Sequence, residues 1–265
     1  MTTLVRALPT LVKVSVARHV AYRAEMTIWI LTALLPLIML ALWSAVVAEG
    51  SIMGFGEAEV TRYFVATLIC RQLTGAWVVW ELSFQIRTGG LSAQLLRPIH
   101  PLYVYAVWMI SAWPFRLAIL SPILAMIALW RPDMFLMPDA ASLVLFALSI
   151  VLAWLLNFLI QCAIGLSSFW VDKADGLYGV WLAIWSICSG YIAPLAMFPE
   201  WAQRVLNVLP FRAILATPVE ILGGFVTAEH ALPLIGIQVL WLVAAAGLVR
   251  WMWTRGLQRY GAWGS

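Results

Sequence analysis

Residues 140–171 read "AASLVLFALSIVLAWLLNFLIQCAIGLSSFWV" and carry no charged side chain. A helix rises about 1.5 Å per residue, so roughly 20 apolar residues cross the ~30 Å hydrocarbon core of a bilayer. This run exceeds that length, which predicts a tilt, a kink or a turn outside the lipid. A stretch of this kind decides the fold: it has no place in a water-soluble domain of this size.

The rest of the chain agrees. Its 265 residues are 64% hydrophobic and 11% charged, against roughly 25% charged in a soluble domain. Met26–Ala48, "MTIWILTALLPLIMLALWSAVVA", is a second uncharged run. Further spans are expected over Val60–Trp80, Tyr103–Trp130, Leu177–Met197 and Ala231–Trp253. The fold class expected is all-α integral membrane, one transmembrane domain over residues 1–265 with six transmembrane helices. Pro36, Pro114 and Pro122 are the candidate kink points.

Loop charges set the orientation. With the N-terminus inside, Arg6, Lys13, Arg18, Arg23, Arg87, Arg97, Lys173, Arg250, Arg255 and Arg259 fall on the cytoplasmic side. Only Arg62, Arg131, Arg204 and Arg212 fall outside, where most acidic residues also lie. Both termini are therefore placed in the cytoplasm. No secretory cleavage pattern precedes the first span, so the N-terminus is expected to be retained. Cys70, Cys162 and Cys188 lie inside apolar runs and imply no disulfide framework.

Before the first span, Leu4, Leu8, Leu11, Val12 and Val16 recur at helical spacing. Residues 1–25 can form a helix in the inner interface or one packed on a partner. Between the fifth and sixth spans, Pro199 can open a short helix that Pro210 ends. Thr217, Pro218 and Glu220 read as a cap, a first-turn proline and a capping-box glutamate, and Gly223–Gly224 as a stop. Two short apolar helices over 199–224 predict an outer re-entrant hairpin, or a pair lying flat on the surface.

Several chemistries are missing. No lysine follows a glycine-rich phosphate loop, no HExxH pair offers a zinc site, and no GxSxG elbow appears. No metal site, catalytic residue or nucleic-acid partner is expected. The spans hold no mid-membrane carboxylate for ion coupling, so uphill transport would draw its energy from a partner. Arg71 and Arg116 do lie within spans. They line a path or gate, or clamp backbone carbonyls or a neighbouring subunit, and the clamp is preferred.

Residues 81–101 form a cytoplasmic elbow. Gly89 and Gly90 can break the descending helix, Leu91, Leu95 and Leu96 give a short apolar edge, and Pro98 ends it. Exposed leucines on such a turn suit the groove of a soluble partner.

The stretch "RQLTGAWVVWELSFQIRTGGLSAQLLRPIHP" (Arg71–Pro101) resembles the permease subunits of ABC-2 type ABC transporters. The branch it is most similar to includes proteins associated with viologen export. "YRAE" (Tyr22–Glu25), "SGYIAPLAMFPEW" (Ser189–Trp201), "LPF" (Leu209–Phe211) and "RGLQRYGAWGS" (Arg255–Ser265) extend the resemblance over nearly the whole chain. It implies a dimer of permeases, the second subunit the same or a homologous chain, in the cytoplasmic (inner) membrane. Two ABC ATPase subunits would bind ATP and Mg, leaving no cofactor in this chain and no enzymatic activity of its own. Arg87, Gly89, Gly90, Leu91, Leu95, Leu96, Arg97 and Pro98 would form the ATPase-coupling segment. The implied function is ATP-driven export, of a lipophilic cation such as a viologen or of another amphipathic small molecule. Trp77, Trp154, Trp181 and Trp185 are the aromatic faces that could hold such a cation. A membrane anchor or scaffold without transport is the alternative.

Overall fold

The computed structural model describes residues 2–21, 34–130, 138–171 and 174–261. The first third of the expected first span, Tyr22–Glu25, Lys173, Arg131 and the last four residues lie outside them. Among the described residues the secondary structure is helical, apart from a single β-bridge between Ile52 and Phe55.

In chain order the helices are α1 (Thr2–Ala21), α2 (Leu35–Val47), α3 (Glu57–Thr74), α4 (Val78–Arg87), α5 (Leu91–Leu95), α6 (Pro101–Ile110) and α7 (Trp113–Trp130). They continue with α8 (Ala140–Leu166), α9 (Ala174–Cys188), α10 (Glu200–Leu206), α11 (Pro210–Ile214), α12 (Ala216–Leu222) and α13 (Ala228–Gly261). Among the described residues three stretches are long and apolar enough to cross a membrane: Pro101–Leu129, Ala140–Phe169 and Ala228–Tyr260. Leu35–Val47 and Ala174–Cys188 are apolar but shorter. This is a multi-pass membrane protein.

Local chemistry explains the boundaries. Asp139 caps α8 by accepting from the Ser142 N–H, and the Glu59 carboxylate accepts from Gly56 N–H at the start of α3. Pro36 stands in the first turn of α2, where a missing N–H costs nothing. Pro114 follows the turn at Ser111–Ala112 that separates α6 from α7, whereas Pro122 lies within an unbroken helix.

Two expected spans are reshaped. The span expected over Val60–Trp80 is two helices, α3 and α4, separated by non-helical backbone at 75–77 that is extended at Gly75. The fifth, expected to reach Met197, stays helical only to Cys188 and gives way to irregular chain. The outer segment holds three short helices, not two. Pro210 starts α11, and α10 has already ended at Leu206. Glu220 pairs with Arg212 and caps nothing, because α12 begins one residue before Thr217. Gly223 and Gly224 do end α12, Gly224 with φ +70°.

Packing gathers the molecule around α8, along which α13, α4 and α12 lie. One apolar core joins Tyr63, Phe64, Cys70, Leu156, Ile214 and Val219. A second joins Leu82, Leu91, Tyr105, Trp154, Leu166, Phe169 and Trp253. The α3–α4 break lies where the two meet, with Leu73 in the first core and Val78 in the second. Contacts also define two poles. At the elbow pole Ser92 Oγ is 3.2 Å from Tyr260 Oη, and the Phe169 and Tyr260 rings meet at 5.8 Å. At the hairpin pole Tyr63 donates to Gly190 O, Trp43 to Ile192 O, and Phe55 stacks on Phe225.

Candidate functional site

The α3–α4 break lies about 27 Å along the helix from Glu57 and about 15 Å from Arg87, at the usual helical rise. Interrupting a helix at that depth frees backbone carbonyls that lipid cannot satisfy. Here side chains from neighbouring helices answer them. Arg116 Nη1, from α7, donates to Gln72 O at 2.9 Å and Gly75 O at 2.8 Å. Asn157 Nδ2 and Gln161 Nε2, from α8, donate to Thr74 O and Ala76 O, each at 2.8 Å. Asn157 and Gln161 stand one turn apart, so one face of α8 serves both carbonyls. Sequence reasoning missed this pair; two amides at i and i+4 in an uncharged run were the available signal.

Both intramembrane arginines converge on this break. A β-carbon at Gly75 would lie 3.2 Å from Arg116 Nη1 and 3.3 Å from Arg71 Nη1. Glycine is what permits that approach. Arg116 is 1% exposed and Arg71 half-buried. Each guanidinium also covers an indole: Arg116 lies 4.4 Å from the Trp77 ring centre, and Arg71 lies 5.1 Å from that of Trp185.

The four tryptophans expected to hold a flat cation are not one surface. Trp77 and Trp185 carry the protein's own guanidinia. Trp154 is buried between Phe158 and Trp113, and Trp181 packs on Phe211.

The elbow is built differently from a row of exposed leucines. Gly89 takes φ +79°, the conformation that turns the chain out of α4. Leu91 is 0% exposed and belongs to the second core, whereas Leu95 is 39% and Leu96 88% exposed. Arg97 and Pro98 are exposed beside them. The apolar edge is therefore Leu95–Leu96 alone, with Leu91 as its anchor. Gln94 Oε1 accepts from Tyr105 Oη at 2.8 Å and ties the turn to α6.

At the other pole, side-chain donors lace the irregular chain. Gln203 donates to Ala196 O and Phe198 O, Trp241 to Val208 O, and Gln238 to Ala213 O. Arg212 pairs with Glu220 and with Asn207 beside a cavity of about 350 Å³ that Tyr63 and Phe225 also line. Across α1, the packed side is Leu11, Ser15 and His19, while Leu8 and Val12 of the expected stripe stay exposed. His19 Nε2 lies 3.0 Å from Trp108 O, and burial holds its pKa below the usual histidine value. Among the described residues no group of three His, Cys, Asp or Glu is placed to hold a metal.

The family model described as ABC-2 family transporter protein matches residues 27–264. The chain belongs to the ABC-2 transporter family. Membership makes it a membrane transport component, a permease of an ABC transporter, and not a catalytic subunit. No curated protein and no solved structure matches it. Within this ABC-2 permease, the ten-residue α4 runs from the braced break to the anchored elbow.

Proposed function

We propose that this ABC-2 permease is the path-forming subunit of an ATP-driven exporter, working as a dimer over two ATPases that bind ATP and Mg. The dimer partner is the same or a homologous chain. Six spans cross the cytoplasmic membrane, with α3 and α4 together as the second. The elbow pole faces the cytoplasm, and residues 199–224 form the outer hairpin. The charge distribution supports this orientation: Arg62, Arg204 and Arg212, the described arginines at the hairpin pole, are each ion-paired to a glutamate.

The elbow carries the proposal. Leu91 seated in the core makes the turn rigid, while Leu95 and Leu96 offer an apolar tip between Arg87 and Arg97. A tip fixed in this way transmits a push from a partner along α4 to the break, which a loose loop could not do. An anchor or scaffold needs the tip but gives no role to a braced break in mid-membrane. Of the cargo classes, an amphipathic small molecule is retained over a flat cation, whose aromatic faces at Trp77 and Trp185 are occupied.

Proteoliposomes holding the permease with its ATPase provide the test. Export of a fluorescent amphiphile should require ATP and should vanish in L96D. Flux without nucleotide would mark a passive channel, and ATPase capture without any flux a scaffold.

A further inference from the structure

We infer that Arg71 and Arg116 form a binding site for the anionic head of an amphiphile, of phosphate or carboxylate class, at the α3–α4 break. The inference rests on the permease reading in taking that anion as cargo.

Hydrogen-bond accounting leads to it. The carbonyls freed by the break need donors, and two of them are served by neutral amides, Asn157 and Gln161. Holding a carbonyl therefore does not explain a charge. The arginines supply donors in excess: Arg116 Nε and Nη2 and Arg71 Nε are buried without a hydrogen-bond partner. Arg62, Arg204 and Arg212 are each paired with a glutamate, whereas Arg71 and Arg116 meet neutral groups: Arg71 bonds the Tyr191 hydroxyl and Arg116 the backbone carbonyls.

Two like charges thus approach the same point beside Gly75 in a low-dielectric interior. That arrangement is costly without a counter-charge. The indoles of Trp77 and Trp185 attract the guanidinia but carry no net charge. The N-terminus of α4 and the C-terminus of α3 bring opposite dipole ends to the same break, so the helix ends offset one another and leave the two full positive charges to be answered. A phosphate or carboxylate would meet the spare donors as charge-assisted bonds and neutralise the pair. Arg116 lies behind, almost fully buried, and half-buried Arg71 offers the side of entry.

The probe is decyl phosphate, titrated calorimetrically into the purified full-length permease in an uncharged detergent, with decyltrimethylammonium as control. Decyl phosphate should bind at least ~10-fold more tightly than the cation, and R71Q should lose that margin while R71K keeps most of it. Arg71 is the residue to change because Arg116 also holds backbone. Equal affinity for the two amphiphiles, or an R71Q protein that binds decyl phosphate as the wild type does, overturns the site. Competition with phosphatidylglycerol separates the sources of the head group. Displacement assigns it to a bilayer lipid and removes the cargo role, whereas no displacement assigns it to a free amphiphile as inferred. Capture of the ATPase is scored separately: permease that captures it but ignores decyl phosphate defeats the site alone, and binding without capture defeats the permease reading alone.

Discussion

Asn157 shows how little separates a membrane helix from a broken one. Its single bond to Thr74 O satisfies a carbonyl that has neither water nor a following helical turn to turn to. Substituting Asn157 or Gln161 with leucine removes the amide donor and leaves Thr74 O or Ala76 O, respectively, buried and unpaired, at a cost of ~1–3 kcal/mol each. Thermal unfolding in detergent should show both losses, and an unshifted midpoint would mean the break satisfies itself. His19 makes a second residue-scale case. Burial, the adjacent Arg18 and Arg116 all disfavour its protonated form. The folded state then binds fewer protons than the unfolded one, so stability is full above about pH 6.5 and declines as pH falls below it. H19Q keeps a donor for Trp108 O without titrating. Between pH 7.5 and pH 5.5 its melting temperature should fall less than that of the wild type, and parallel curves would assign the acid sensitivity elsewhere. The buried arginines were legible in the sequence because charge inside an apolar run stands out. Their convergence was not, since Arg71 and Arg116 belong to different helices and only packing brings both to Gly75.

At the scale of elements, periodicity and length identified the apolar runs well and misjudged their continuity. Residues 60–80 carry enough apolar side chains to be read as one span, yet the chain there is α3, a non-helical break and α4. Hydropathy records the environment of side chains and says nothing about whether donors from another helix permit the backbone to open. The elbow makes the same point in reverse. Leu91, Leu95 and Leu96 look alike in sequence, but one turn of helix sends Leu91 among Leu82, Tyr105 and Phe169 and leaves Leu96 in the open. The two ends of that turn should respond differently to a charge. L91D buries a carboxylate in the second core and should abolish folded, monodisperse protein in size-exclusion chromatography. L96D should fold like the wild type and fail to co-purify the ATPase. An L96D protein that still carries the ATPase would move the docking surface away from this tip.

Among the described residues the elbow and the hairpin gather at two separate poles, and that separation can be tested without knowing any partner. Ser92, Phe169 and Tyr260 meet at one pole although they lie far apart in sequence. Trp43, Tyr63, Gly190 and Trp241 organise the other. An odd number of crossings between the elbow and the hairpin is required for the two to lie on opposite faces, and in the proposed topology spans three, four and five supply it. Cys70 and Cys162 are buried, so only half-buried Cys188 needs replacing, by alanine, to leave a background inert to thiol reagents. Single cysteines can then be introduced at exposed Ser51 and Val208 at the hairpin pole and at exposed Ala93 in the elbow. In intact cells a membrane-impermeant maleimide should label S51C and V208C and leave A93C unmodified until the membrane is opened. Labelling of A93C in intact cells, with S51C and V208C protected, would invert the orientation while leaving the two-pole architecture intact. Labelling of all three would put elbow and hairpin on one face, which is incompatible with the three crossings proposed between them.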